Sequence, residues 1–185
     1  MVPPGSTRRR RPFLAPLWMT LVALLLAAGL GYTMYRGAST TVVVLASSGE
    51  KAPGTIDDPP ISAEGERRAL RLAQMFGAGA GVGRLDALYV SSERRAQQTA
   101  APLAELARLA PTVFAAKDVA ATAAGLLRAH EGGAVLVIGD RAALQQFFRE
   151  LVGAGSAPPA ADDPDLLYIV SVPSFGRAQV LRLKY

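Results

Sequence analysis

Three short polar segments, each placed directly after a strand pattern, hold the side chains best suited to chemistry. The segments are Ser47-Ser48-Gly49, Ser91-Ser92-Glu93 and Gly139-Asp140-Arg141. The run before the first, 41–45, is β-branched and apolar, which is typical of a strand buried on both faces. Because ligands bind beyond the carboxyl ends of strands in open α/β sheets, we expect the three turns to converge on one site.

Strand patterns alternate with helical patterns along residues 41–185. The sequence predicts strands at 41–45, 88–90, 112–115, 134–138, 166–172 and 179–183. The helical patterns between them place apolar residues three and four positions apart, as in the helix that Ser62 is expected to cap. This alternation predicts a three-layer α/β/α sandwich with a mostly parallel sheet, and the closing hairpin adds an antiparallel strand.

The N-terminal residues differ from this domain. Residues 1–12 form a basic tail with four consecutive arginines, residues 13–35 carry no charge, and residues 37–40 form a short linker. Roughly 20 apolar residues suffice for a helix to cross a bilayer. The sequence therefore predicts a single transmembrane helix over residues 13–36, with the lipid bilayer as its partner; a buried core helix is the alternative.

The basic residues around this apolar stretch predict its orientation. Four arginines precede the stretch and one, Arg36, follows it. An excess of basic residues marks the cytoplasmic side of a membrane. We therefore predict an inner-membrane protein whose N-terminus is cytoplasmic and whose domain is periplasmic. The alternative is secretion after signal-peptide cleavage, although the stretch is long for a signal peptide and no Ala-x-Ala-like site follows it.

Composition excludes several classes of function. Five of the 20 basic residues and none of the 15 acids lie in residues 1–40, so residues 41–185 hold 15 of each sign. The folded part thus has no basic excess for nucleic acid. The chain has no cysteine and one histidine, which excludes disulfides and thiolate metal sites. We predict neither a metal site nor a cofactor.

The polar segments and their order resemble the histidine phosphatase, or phosphoglycerate mutase-like, superfamily over about residues 41–185. Members begin with a strand ending in Arg-His-Gly or Arg-His-Ala, often followed by Glu-Lys, where this chain has Ser47-Ser48-Gly49-Glu50-Lys51. Their Leu-Ser/Thr-x-x-Gly block corresponds to Ile61–Gly65. Their Ser-x-x-x-Arg-Ala-x-Gln-Thr-Ala block is matched in full from Ser91 to Ala100, and their final Gly-His corresponds to Gly139-Asp140. The resemblance implies a phosphoglycerate mutase-like fold.

The departures from this pattern fall on the residues that the resemblance makes catalytic. In the family the first-block histidine is the phosphorylated nucleophile, and two arginines and the last histidine hold the phosphoryl oxygens. Carried over, these positions are Ser48 for the nucleophile, Ser47 and Arg95 for the arginines and Asp140 for the last histidine. A phosphate dianion needs several positive donors, and serine is a weak nucleophile without a base. We predict a degenerate pocket in which Arg95 pairs with Asp140.

Four further charged residues are candidates for the rim of this pocket. They are Glu50, Lys51, Arg94 and Arg141. The alternative is that Glu50 and Lys51 form a solvated pair on a loop and that the arginines are simply solvated. His130 follows a helical pattern and precedes the fourth strand, so we expect it at the opposite edge of the sheet, away from any catalytic role.

The leading prediction is therefore a membrane-anchored pseudophosphatase that binds a small anionic ligand or a protein partner. One alternative is an active phosphohydrolase, a phosphomonoesterase with a rearranged site. Another is a structural or interaction protein that acts through its membrane helix.

Overall fold

The computed structural model describes residues 17–36, 39–54, 57–77, 83–153 and 166–185, and side chains only from residue 18 to 33 in the first range. The chain divides into two compact units after Gly37. The predicted basic tail, the first residues of the predicted span and residues 37–38 of the predicted linker lie outside the described residues.

The element order is that of an α/β protein, and the segments start and end close to the predicted positions. The helices are α1 (Leu17–Arg36), α2 (Ala63–Gly77), α3 (Arg94–Ala107), α4 (Val119–Ala129) and α5 (Arg141–Val152). The strands are β1 (Thr40–Ser47), β2 (Ala87–Ser91), β3 (Thr112–Phe114), β4 (Ala134–Gly139), β5 (Leu166–Pro173) and β6 (Gln179–Lys184). A single turn of 3-10 helix precedes α4.

The helix α1 covers most of the stretch predicted to cross a membrane. Its large apolar side chains are exposed, for example Leu24 at 71% and Leu26 at 69%. Within the described part of the chain, however, no helix is both long enough and apolar enough to cross a membrane. The transmembrane element of the prediction is therefore not confirmed.

The six strands form one mixed sheet in the order β3-β2-β4-β1-β5-β6. The strands β1, β2, β3 and β4 are parallel, with Ser47 opposite Gly139 and Val90 opposite Ile138. Only β5 runs in the opposite direction to the other five strands, and it pairs antiparallel with both β1 and β6. The predicted mostly parallel sheet with an antiparallel strand is confirmed.

Helices cover both faces of the sheet, so the predicted three layers are present. On one face, α4 and α5 pack on the odd-numbered residues of β1, with Phe147 and Leu126 at the centre. On the other face, α2 and α3 pack on the even-numbered residues of β1, with Leu72 and Leu103 fully buried. This burial on both faces is why 42–45 is a continuous apolar run rather than an alternating one.

The amino edge of the sheet is closed by a small polar cluster. The carbonyl oxygen of Ser39 accepts hydrogen bonds from the backbone N–H of Ser174 and from its hydroxyl, both at 2.9 Å. The Glu131 carboxylate accepts from the hydroxyls of Ser39 and Ser174. The start of the domain is thereby held to the β5–β6 hairpin, which turns at Gly176 with a positive φ of 115°.

Candidate functional site

The three polar turns meet at the carboxyl edge of the parallel strands, as predicted. The Ser48 backbone N–H donates to the carbonyl oxygen of Gly139 at 2.9 Å, so the turns after β1 and β4 touch. The turn after β2 lies beside them, because a β-carbon added at Gly139 would stand 3.7 Å from the side chain of Ser91. The shared edge follows from the parallel pairing of β1, β4 and β2.

The residues that match the family blocks hold the turn after β1 against α2 and α3. The Gly49 N–H donates to the Thr99 hydroxyl at 2.8 Å, and that hydroxyl donates to the Arg95 carbonyl at 2.7 Å. A β-carbon at Gly65 would stand 3.0 Å from the Glu50 carbonyl oxygen, so α2 approaches the turn too closely for any larger residue. The Ser62 hydroxyl accepts from the Gly65 N–H at 3.1 Å, which confirms Ser62 as a helix cap.

A buried arginine on α2 organises the same turn, and it was not predicted. Arg68 is 1% exposed, and its guanidinium donates to the carbonyl oxygens of Ser47 and Ser48, both at 3.0 Å, and to the Glu50 carboxylate. The helical spacing did contain a signal, because position 68 lies four residues before Leu72 and so falls on the buried stripe. Glu50 therefore binds an internal cation rather than forming a solvated pair with Lys51.

The expected ion pair between Arg95 and Asp140 is not formed. Arg95 instead lies 3.5 Å from the carboxylate of Glu93, two residues earlier at the start of α3. The Asp140 carboxylate accepts from the Ala143 N–H at 3.0 Å and caps α5. The prediction was wrong on this pairing because Asp140 directly precedes a helix, where a carboxylate satisfies an otherwise unpaired backbone N–H.

Two open pockets adjoin at this edge, on the side of the turn after β2. One, of about 280 Å³, is lined by Asp57, Asp58, Pro59, Ser92, Glu93 and Arg95. The other, of about 490 Å³, is lined by Asp58, Ser92, Arg94, Gln97, Gln98 and Ala101. The first pocket contains the one arginine retained from the family pattern, yet its wall also carries three carboxylates.

Among the carboxylates of this pocket, Glu93 has a pKa that its surroundings shift. Its pKa is raised, first because partial burial disfavours the charged form and then because Asp140 and Asp58 are negative. Arg95 acts in the opposite direction but does not cancel these effects. Before any ligand enters, the wall of the pocket around Arg95 therefore has more acidic than basic side chains.

The remaining candidates are scattered around the edge. Arg94 lines the larger pocket, and its backbone N–H donates to both carboxylate oxygens of Asp58 at 3.1 Å. Lys51 is exposed and its backbone forms a bridge with Ile61, while Arg141 is exposed at the start of α5. His130 follows α4 at the amino edge, where its ring nitrogen lies 3.3 Å from the Tyr89 hydroxyl. The only histidine is thus far from the three turns, as predicted.

Comparison with known families agrees with the order of the blocks. A family model described as the histidine phosphatase superfamily (branch 1) matches residues 46–117. This part of the chain includes the turns after β1 and β2. No curated protein sequence matches the chain.

Solved structures with similar folds cover the domain almost completely. The protein histidine phosphatase SixA, in complex with tungstate, is 19% identical, with a TM-score of 0.61 over 77% of this chain and 96% of that one. A mycobacterial glucosyl-3-phosphoglycerate phosphatase is 14% identical, with a TM-score of 0.58 over 76% and 97%. A protein named mycobacterial hydrolase 1 is 15% identical, with a TM-score of 0.58 over 79% and 99%. The chain therefore has the histidine phosphatase superfamily fold.

The described residues at this edge could hold a ligand, but they include no serine nucleophile with an imidazole base beside it. Ser48 is 9% exposed and no imidazole is near it. No group of three or more histidine and acidic side chains suited to a metal ion occurs among the described residues. Residues that could take a ligand are those of the pocket wall, Arg95 and the carboxylates beside it.

Proposed function

We propose that this chain is a histidine phosphatase superfamily member that does not transfer phosphoryl groups and instead binds a partner at the carboxyl edge of its sheet. The proposal extends the fold and the family pattern of residues 46–117 with the chemistry of the altered positions. Serines stand at 47 and 48 and an aspartate at 140, so neither imidazole nor a first arginine is available.

One observation carries the proposal: the retained Arg95 is paired with Glu93 in a pocket that also contains Asp57 and Asp58. A phosphate dianion that entered would meet three carboxylates and a single guanidinium, which is already paired with Glu93. Electrostatic stabilisation of phosphoryl transfer needs the opposite balance. The same balance opposes a small anionic ligand, which leaves a protein partner as the occupant that we favour.

The first experiment measures hydrolysis of p-nitrophenyl phosphate by the full-length chain and by the triple variant Ser47→Arg, Ser48→His, Asp140→His. We expect the unmodified chain to release phenolate no faster than buffer, since no group can accept the phosphoryl. Circular dichroism of both proteins checks that they are folded. Hydrolysis by the unmodified chain at the rate of the triple variant, and its loss on Arg95→Ala, would instead establish the rearranged phosphohydrolase.

The second experiment measures binding without catalysis. An anion that binds the native state with a dissociation constant a hundredfold below its concentration stabilises the fold by about 2.7 kcal/mol. We expect 10 mM inorganic phosphate to leave the melting temperature of the unmodified chain unchanged relative to chloride at equal ionic strength. A rise that disappears in Arg95→Ala would contradict the proposal even if hydrolysis were absent.

We further propose that residues 13–35 hold the chain on the inner membrane with the domain on the periplasmic side. The support is in the sequence: this stretch has no charge, four arginines precede it, and Arg36 follows it. The large apolar side chains of α1, such as Leu24 and Leu26, are exposed, which is typical of surfaces that contact lipid or another protein. In this arrangement the domain would present its partner site outside the cytoplasm.

A further inference from the structure

The strand β6 forms one end of the six-stranded sheet. Among the described strands it has a single neighbour, β5, with which it pairs from Gln179 to Lys184. All six of its residues are exposed. An exposed edge strand presents a row of backbone N–H and carbonyl groups that can pair with another extended chain.

The two faces of β6 differ in chemistry. Leu181 and Leu183 stand opposite Ile169 and Leu167, so they extend the face covered by α2 and α3, and they are 61% and 39% exposed. Arg182 stands opposite Tyr168 on the other face, with its guanidinium carbon 5.9 Å from the centre of that ring. Lys184 follows two residues later on the same face, because successive side chains of a strand alternate. Gln179 shares the face of the two leucines, and Val180 shares the face of the two cations. From Leu181 to Lys184 the strand is therefore apolar on one face and basic on the other.

The charge of β6 argues against a second copy of this chain as the occupant. The strand has two cations and no acid. When two such strands pair antiparallel so that Leu181 of each copy stands opposite Leu183 of the other, Arg182 stands opposite Arg182. Like charges directly opposite each other destabilise a strand pair. An occupant with carboxylates at alternate positions would turn the same contacts into opposite-charge pairs.

We propose that β6 is a docking strand for an extended segment of a partner protein in which acidic and apolar residues alternate. The backbone of that segment would continue the sheet, its apolar side chains would cover Leu181 and Leu183, and its carboxylates would face Arg182 and Lys184. This mode of recognition takes affinity from main-chain hydrogen bonds and specificity from alternate side chains. The surface is two strands away from β1 and independent of the carboxyl-edge pocket, so it stands whether or not that pocket binds anything.

The test uses the full-length chain and three fluorescent seven-residue peptides with blocked termini. One alternates valine and glutamate, and the second alternates valine and lysine. The third is the acidic peptide N-methylated at every residue, which cannot donate backbone hydrogen bonds to β6. Fluorescence anisotropy at 100 mM salt gives each dissociation constant. We expect the acidic peptide to bind at least tenfold more tightly than either of the others.

Two matched variants locate the binding. The double variant Arg182→Glu, Lys184→Glu should reverse the preference, so that the lysine peptide binds at least tenfold more tightly than the acidic one. The control Lys117→Glu, Arg128→Glu changes the net charge equally at exposed positions far along the chain and should keep the acidic preference. An acidic preference that survives the β6 reversal, equal binding of the N-methylated peptide, or self-association of the chain that Arg182→Glu, Lys184→Glu alters would each overturn the proposal.

Discussion

At the scale of single residues, the site is defined by how its charges are already used. Arg68 donates a hydrogen bond to the turn after β1, and Arg95 forms an ion pair with Glu93. The sequence indicated Arg95 through its motif, whereas the only signal for Arg68 was its position four residues before Leu72. The packing of α2 separates Arg68 from its neighbour: Arg67 is 68% exposed and Arg68 is 1% exposed.

This contrast gives a prediction for Arg68. Arg68→Met should lower the free energy of unfolding by about 3–5 kcal/mol, because it strands two buried carbonyl groups and a partly buried carboxylate. Arg67→Met, one position earlier, should cost less than about 1 kcal/mol because its ion pair is solvated. Urea unfolding of both variants makes the comparison. Adding Glu50→Gln to Arg68→Met should recover part of the loss, and equal costs for the two methionine variants would contradict the role assigned to Arg68.

A second prediction concerns Glu93 and pH. Its pKa in the folded chain is raised. The native state therefore binds this proton more tightly than the unfolded chain does, and the free energy of unfolding falls as the pH rises from the unfolded pKa of glutamate through the folded one. Glu93→Gln should therefore be slightly more stable than the unmodified chain at pH 7. The gain should be below about 1 kcal/mol, since water screens a side chain that is 39% exposed.

The measurement for Glu93 is the melting temperature across pH. The advantage of Glu93→Gln should shrink on acidification and vanish below the ordinary glutamate range, about pH 4, where both folded and unfolded chains are protonated. A variant less stable than the unmodified chain at pH 7 would show that the contact with Arg95 outweighs burial and the two aspartates.

At the scale of elements, the carboxyl edge of the sheet holds the N-termini of helices as well as the candidate site residues. The α5 N-terminus takes its cap from Asp140, and α2 takes its cap from Ser62. A residue that the family pattern places against phosphate is here part of secondary structure. The α5 cap shows that an aspartate at this position contributes to the fold.

The cap can be tested with a pair of aspartates. Asp140→Ala should lower the free energy of unfolding by about 1 kcal/mol, the usual cost of losing a cap. Asp118→Ala at the start of α4 should cost less, because that side chain makes no capping hydrogen bond. Asp140→Asn should stay within about 0.5 kcal/mol of the unmodified chain, since asparagine also caps. Thermal unfolding monitored by circular dichroism compares the three variants. Equal losses of stability at positions 140 and 118 would show that Asp140 does not act as a cap.

The elements were more predictable than their contacts. Continuous apolar runs such as 134–138 gave the buried strands because burial on both faces leaves a period-free pattern. The two closing strand patterns predicted the hairpin, and the structure turns it at Gly176, whose positive φ suits glycine. The pairing of Arg95 could not be predicted in this way, since it depends on side-chain directions at a turn, and no periodicity chooses between Glu93 and Asp140.

At the scale of the whole molecule, the proposed anchor and the domain have separate charge balances. The excess positive charge lies in residues 1–40, and residues 41–185 have equal numbers of acids and bases. If residues 13–35 cross the bilayer, the full-length chain made in a bacterial host should stay with the membrane fraction after carbonate extraction. Leu24→Arg with Leu25→Arg should release it, because two charges in mid-span are costly to bury in lipid.

The matched control for that experiment is Leu181→Arg with Leu183→Arg, which adds the same charges to an exposed strand of the domain. This control should remain in the membrane pellet. Release of the unmodified chain by carbonate, or retention of the Leu24→Arg, Leu25→Arg variant, would count against the anchor. Protease added to intact spheroplasts then reports which side of the membrane carries the domain.

The position of β1 has a mechanical consequence. A pulling force on the chain ahead of Ser39 would act on β1, a central strand that pairs with β4 on one side and with β5 on the other. Both ladders would be loaded lengthwise, so many hydrogen bonds must rupture together, whereas the outermost strand can unzip one bond at a time. A tether at this end therefore pulls where the domain resists stretching best, and force spectroscopy from either terminus would measure the difference.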